Sequence, residues 1–144
     1  MVKKTNIFMG LTVFLASGIA FSQGQSPLQP LLTVRQIMNA IVAPTTATIW
    51  GAYELETDAE WQEIKNAALA VIGAGNLLKI GGSGLEEQLI SQEKDWQTFN
   101  SEMIAAAQKV IEAVDAKDED ELFMVGNDLL YPPCESCHQQ YQNQ

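Results

Sequence analysis

Both cysteines and the single histidine of this 144-residue chain stand within five consecutive positions, as Cys134, Cys137 and His138. They form the sequence Cys-Glu-Ser-Cys-His, which is the C-x-x-C-H motif of covalent haem attachment. Two thiols three positions apart on a helical turn face the same way, so both can add to vinyl groups of one porphyrin. The adjacent imidazole projects from the same turn and can ligate the iron on the proximal side. The motif therefore predicts one haem c, with two thioether bonds and His138 as an iron ligand.

Three other uses of cysteine and histidine account for these residues less completely than haem attachment does. A structural disulfide would explain Cys134 and Cys137 but not His138. A thioredoxin-type redox pair opens a helix after a buried strand, and the sequence has no convincing strand pattern. A zinc site needs four ligands, and the chain has no second Cys/His pair. Covalent haem is the interpretation that uses all three residues.

Because the chain has no second histidine, the choice of ligand on the distal side of the iron is limited. Bis-histidine ligation within the chain is excluded, and so is a distal histidine that acts as an acid–base catalyst. The sixth position is then taken by methionine or by a rarer ligand such as lysine, or it is open. The sequence therefore favours a haem protein that is not an enzyme.

Residues 1–22 have the layout of a secretory signal peptide. Two lysines precede an apolar run over residues 7–21, and Ala20 and Ser22 suit a cleavage site directly after them. The alternative is an uncleaved anchor, but the run is short for a bilayer span of about 20 apolar residues. We therefore expect cleavage, a single domain at 23–144, periplasmic localisation and no stable membrane insertion afterwards.

The chain is strongly acidic, with 18 Asp and Glu against 8 Lys and Arg and a net charge of −10. Such a surface repels nucleic acid and anionic lipid. It favours partners with a basic docking patch. No nucleic-acid partner is expected.

Apolar periodicity predicts an all-α fold of four amphipathic helices joined by short loops, for which an antiparallel four-helix bundle is the default architecture. The first helix is expected to start at the Thr33 cap, and Pro44 is expected to bend or break it. The second helix should start at the capping box of Thr57 and Glu60 and end before the glycine-rich segment 81–84.

The third and fourth helices carry the remaining apolar faces. The third has a three-four stripe of Trp96, Phe99, Met103, Ala106, Val110 and Val114. The fourth is expected to start in the acidic run 118–121, where negative charge suits a helix N-terminus. Its buried face is predicted to be Leu122, Val125 and Leu129.

Pro132 and Pro133 are expected to interrupt the fourth helix just before the cysteine–histidine motif. The residue before a proline, Tyr131, is pushed towards extended geometry. Pro133 suits the first turn of a new helix, which would carry residues 134–141.

A helical bundle with C-x-x-C-H near its C-terminus resembles the class II cytochromes c, the cytochrome c′ family. The resemblance covers residues 32–141 in architecture and rests on the motif, the first-helix stretch VRQIMNAI and the third-helix start DWQTFNSEM. In that family the first helix passes over the distal haem face, and an aromatic residue near the start of the third helix packs on the ring. The expected proline break is a departure, because the family's last helix runs without interruption into its motif.

The resemblance bears on Met38. The six-coordinate form of the family has a first-helix methionine on the iron, with a pattern that Arg35-Gln36-Ile37-Met38 resembles. The five-coordinate form keeps an apolar residue there and binds NO or CO. The residues alone leave Met38 either as the distal ligand or as a flexible core residue. Met103 lies on the core stripe, and Met124 lies beside the haem segment in sequence.

Three further residues are candidates for contact with the haem. Arg35, the only arginine in the chain, lies one turn from Met38. It either pairs with a haem propionate or is a solvated surface arginine. Trp96 and Phe99 are core residues first, with haem packing as an addition.

The resemblance implies a periplasmic electron carrier with His/Met-ligated haem and a redox partner protein. The alternative is a five-coordinate haem protein that binds NO or CO for gas sensing or protection. A catalytic haem protein has the least support, because the chain shows no distal base. Family members often pair through their first two helices, which implies a homodimer as one option.

Overall fold

Capping boxes define where the first two long helices begin. The computed structural model describes residues 29–142, so the predicted signal peptide at 1–22 lies outside the described residues. Thr33 Oγ1 accepts a hydrogen bond from Gln36 N at 3.1 Å, and Gln36 Oε1 accepts one from Thr33 N at 2.9 Å. Thr57 and Glu60 form the same reciprocal pair, at 3.3 and 2.7 Å. Each pair satisfies backbone donors that have no partner within the helix, and both predicted starts are confirmed.

Residues 29–142 form five helices in chain order. Helix α1 covers 34–50, α2 is Asp58–Leu78, α3 is Leu85–Ile90, α4 is Lys94–Ala116, and α5 covers 119–141. Within α1, a π-helical turn at Met38–Val42 joins Val34–Ile37 to Ala43–Trp50. Within α5, a π-helical turn at Val125–Leu130 joins Glu119–Met124 to Tyr131–Tyr141. Residues 29–142 contain no strand, which confirms the all-α prediction, and none of their helices is long and apolar enough to cross a membrane.

Pro44 does not end α1, because a π-helical turn precedes it. In a regular helix a proline ring clashes with the carbonyl four residues earlier. The π turn has one residue more, and its wider closure is visible in the hydrogen bond from Ala43 N to Met38 O. We attribute the accommodation of the ring to this wider turn. Helix α1 continues to Trp50, so the break expected at Pro44 is absent.

Pro132 and Pro133 do not interrupt α5 either, so this sequence prediction is wrong. Tyr131, expected to be extended, has helical angles of φ −66° and ψ −46°, and its N–H donates to Gly126 O across the π turn. Leu130 and Pro133 are both buried, so tertiary packing holds the segment helical against its local preference. One unbroken helix therefore carries the cysteine–histidine motif, and the expected departure from the resembled family is absent.

The π turn of α5 also changes which leucine is buried. Leu122 and Val125 are buried as predicted, but Leu129 is 42% exposed whereas Leu130 is 0% exposed. A regular helix repeats every 3.6 residues, so one additional residue in a turn shifts the buried face by one position. The predicted core role of Leu129 is therefore wrong, and Leu130 takes it.

The helices pack around one hydrophobic core. Helix α4 has extensive interfaces with both α2 and α5, α1 packs on α2, and the π turn of α5 also contacts α1. The predicted stripe of α4 faces this core: Phe99 is half-buried and the other five members are buried. Helix α3 and the glycine-rich segment before it connect α2 to α4 and lie beside the N-terminus of α1.

Candidate cofactor site

One cavity of about 730 Å³ is lined by every residue that the sequence singled out for haem contact. Its volume is within the range of about 300–1,000 Å³ that is usual for ligand and cofactor sites. Helices α1, α4 and α5 supply these residues, which are Arg35 and Met38, Trp96 and Phe99, and Cys134, Cys137 and His138 respectively. The tertiary structure thus brings together three segments that are far apart in sequence.

The two cysteines lie on the wall formed by α5. Both are half-buried free thiols packed against the hydrophobic core. Burial, with a smaller contribution from the neighbouring Cys137, raises the pKa of Cys134 to about 11. Burial also raises the pKa of Cys137. Reactive redox cysteines have lowered pKa values, so this environment does not favour a thioredoxin-type pair.

His138 follows directly and lies at the rim of the cavity. Its side chain is exposed, and its imidazole makes no hydrogen bond or ion pair within residues 29–142. Both ring nitrogens are therefore free to bind a metal. In the same residues no group of three or more His, Cys, Asp and Glu side chains converges as it would for a protein-held metal ion. A structural zinc site takes four protein ligands, whereas haem iron takes only one ligand from such a turn.

Two methionines line the cavity. Met38 opens the π turn of α1 and is half-buried, while Met103 on α4 is 5% exposed. Met124 does not line it and is 37% exposed. The predicted core position of Met103 is confirmed, and its side chain also lines the cavity. Met38 and Met103 are therefore the two thioethers that an iron atom in this cavity could use.

Arg35 lines the cavity with an exposed side chain. It forms no ion pair with a carboxylate of residues 29–142, whereas three lysines do form such pairs. An uncompensated guanidinium at the edge of a cavity suits an anionic group, which it can bind through two parallel hydrogen bonds.

Hydrogen bonds fix two of the aromatic rings near the cavity. Trp96 Nε1 donates to Leu78 O at 2.8 Å, and the ring makes an edge contact with Tyr141 at 5.2 Å between centroids. Trp96 is buried, as predicted for a core residue. Trp50 is 43% exposed and donates from Nε1 to Gly126 O at 3.0 Å, which links α1 to α5.

Asn100 and Glu87 are among the polar residues lining the cavity that the sequence did not identify as site residues. Asn100 is buried and donates from Nδ2 to Gly75 O at 2.8 Å, while its Oδ1 has no hydrogen-bond partner in the described chain. The sequence signal that could have identified Asn100 is a single amide on the otherwise apolar face of α4. Glu87 was detectable only as a local cap of α3, because its contact with α1 joins distant parts of the chain.

The chemistry of these walls fits a haem c. Such a cofactor needs an apolar cavity, two thiols on one face, an imidazole beside them and a cation near its carboxylates. Apolar side chains such as Val34, Val42 and Ile90 line the cavity together with the residues described above.

A scan against protein-family models, a search of curated proteins and a search of solved structures each returned no match. What this chain does is therefore inferred from the residues around the cavity.

Proposed function

We propose that this protein is a periplasmic c-type cytochrome that carries single electrons through one covalently bound, His/Met-ligated haem. The observation that supports it best is that the C-x-x-C-H motif lines the same cavity as Met38 and Arg35. The haem, when bound, supplies a one-electron Fe(III)/Fe(II) couple. The protein's contribution is to bind this cofactor and to set the environment of its iron.

Cys134 and Cys137 hold the cofactor by thioether bonds. Each thiol would be joined to one vinyl-derived carbon of the cofactor through a sulfur–carbon bond. Both residues lie on one helix that is anchored in the core by Leu130, so the attachment is rigid.

The remaining residues set the environment of the iron. His138 provides the proximal nitrogen, and Met38 provides a thioether that favours ferrous iron relative to a second imidazole. Arg35 binds a propionate, and Trp96 and Phe99 pack on the ring and exclude water from it.

The helix contacts support an antiparallel four-helix bundle of the cytochrome c′ type. Helix α1 packs on α2, α2 on α4, α4 on α5, and the π turn of α5 returns to α1. A closed ring of four contacts is the arrangement of a four-helix bundle, with α3 as part of one connection.

The partner of such a carrier is a redox protein with a basic docking patch. The chain's net charge of −10 steers a basic surface towards it and allows a weak, quickly released complex. Association should therefore slow as ionic strength rises, because salt screens exposed charges.

The test is to produce the protein in a host that is competent in cytochrome c maturation and to record its intact mass and visible spectrum. We expect the mass of the processed polypeptide plus one haem, and loss of the covalent adduct in the Cys134→Ser/Cys137→Ser double variant. Glu135→Gln, between the two cysteines, is the matched control and should keep the haem. Colourless protein with the mass of the polypeptide alone would refute the proposal.

A further inference from the structure

Glu87 connects α3 to the first residue of α1. Its Oε1 accepts a hydrogen bond from Val34 N at 3.0 Å, and its Oε2 accepts one from Gly84 N at 3.1 Å. The N–H of Val34 belongs to the first turn of α1 and has no carbonyl partner within that helix. A carboxylate at this end also interacts favourably with the helix dipole.

The glycine-rich segment allows this contact to form. A Cβ atom on Gly82 would lie 1.9 Å from Glu87 Oε2 and 2.7 Å from Val34 N, so a side chain at this position would collide with both partners. A second link lies beside the first, because Ser83 N donates to Leu32 O at 2.9 Å. The start of α1 is therefore held by one connection to α3 and one to the segment that precedes α3.

Met38 lies one helical turn beyond this anchor. Its N–H donates to both Val34 O and Arg35 O, and the π turn begins with Met38 itself. Through these hydrogen bonds a displacement of the first turn of α1 is passed on to Met38. The position of the Met38 sulfur in the cavity therefore depends on how firmly Val34 is held. Glu87 itself also lines this cavity.

We propose that Glu87 is a positioning residue that holds the first turn of α1 and thereby sets the strength of Met38–iron ligation. This inference rests on the proposed function, in which Met38 is the distal ligand. A carboxylate is required because both of its oxygens accept hydrogen bonds. In a glutamine side chain an NH2 donor replaces one of the two oxygens and would face the N–H of either Val34 or Gly84.

The experiment uses the haem-loaded protein and carbon monoxide as the probe of the ferrous iron. Carbon monoxide competes with Met38 for the sixth position, so a looser Met38 raises the apparent affinity for carbon monoxide. We expect Glu87→Gln to raise this affinity on the order of tenfold, the effect of one lost hydrogen bond to a charged acceptor. Gly82→Ala should act in the same direction. Glu86→Gln is the matched control, because Glu86 is the exposed neighbour in the same helix and loses the same charge.

The outcomes distinguish the positioning role of Glu87 from the ligand role of Met38. If Met38→Ala raises carbon monoxide affinity but Glu87→Gln behaves like Glu86→Gln, the role of Glu87 is refuted while His/Met ligation stands. A lower melting temperature in Glu87→Gln without a change in carbon monoxide affinity would also refute it, because that pattern reports a purely structural contact. If Met38→Ala leaves the affinity unchanged, His/Met ligation is refuted and the role of Glu87 falls with it.

Discussion

Met38 and His138 line the same cavity although they belong to helices near opposite ends of the described chain. The same local feature shapes both helices. Met38 opens a π-helical turn followed by Pro44, and His138 lies beyond a π-helical turn followed by Pro132 and Pro133. Single π turns of this kind are frequent at functional sites. Each turn rotates the helix beyond it, and so determines which of its residues face the cavity and the core.

Met38→Ala should convert the haem from a six-coordinate low-spin form to a five-coordinate high-spin form. The reason is that alanine has no thioether to bind the iron. The measurement is the visible and near-infrared spectrum of the oxidised and reduced protein. Met103→Leu, which removes the other methionine sulfur that lines the cavity while keeping a similar volume, should leave the low-spin spectrum in place.

Two results would contradict this assignment of the ligand. If Met103→Leu rather than Met38→Ala abolished the low-spin spectrum, the ligand would come from α4. A wild-type spectrum that is already high-spin and changes on addition of carbon monoxide would favour the alternative gas-binding function.

Arg35→Gln should lower the reduction potential of the haem. A guanidinium near the cofactor stabilises the ferrous state, which has one positive charge fewer, and its removal favours the ferric state. For an exposed ion pair worth about 0.2–1 kcal/mol, the shift is roughly 10–40 mV. Lys109→Gln removes the same charge from a residue that does not line the cavity, and should leave the potential unchanged in a redox titration. Equal potentials for wild type and Arg35→Gln would exclude the propionate contact.

Leu130→Ala should cost about 2–5 kcal/mol in the free energy of unfolding, because it removes a fully buried side chain from the core. Leu129→Ala, the same substitution one position earlier at a side chain that is 42% exposed, should cost less than about 1 kcal/mol. Denaturant unfolding of both variants measures the difference. A larger cost at Leu129 would mean that α5 lacks the π turn and follows the regular helical phase.

Gly73→Ala and Gly75→Ala, both in α2, should change stability in opposite directions. A Cβ on Gly73 would meet no atom within 4 Å, so alanine should stabilise the helix by about 0.5–1 kcal/mol. A Cβ on Gly75 would lie 2.5 Å from Ile104 Cγ1 on α4, and such overpacking costs about 1–3 kcal/mol. Equal effects in chemical unfolding would show that α2 and α4 are not as closely packed as the structure shows.

Tyr141 should make stability depend on alkaline pH. Burial, and then the hydrogen bond that its hydroxyl donates to Glu93 at 2.9 Å, raise its pKa from 10.0 to about 12. Because the unfolded chain ionises first, the contribution of Tyr141 is fully present below pH 10 and is lost as the pH rises towards 12. We therefore expect the difference in melting temperature between wild type and Tyr141→Phe to shrink over this interval. Tyr53→Phe changes a side chain that is 78% exposed and should follow the wild type at every pH.

Local sequence determined much of the secondary structure. Both capping boxes, the acidic start of α5 and the apolar stripe of α4 depend on residues within one or two turns of each other, and the structure shows all of them. The cysteine–histidine motif could also be recognised from the sequence, because its chemistry depends on neighbouring residues on one turn. Its interpretation as a haem site stays a prediction until the mass and spectrum are measured.

Tertiary structure decided what depends on contacts between distant segments. Local rules predicted an extended Tyr131 and a buried Leu129, but burial of Leu130 and Pro133 keeps α5 helical and its π turn shifts the buried face. The hydrogen bond between Glu87 and Val34 joins two segments that no sequence pattern predicts to lie close together. The gathering of three helices around one cavity has the same origin, because packing of the whole core, and not any single segment, fixes how those helices lie against each other.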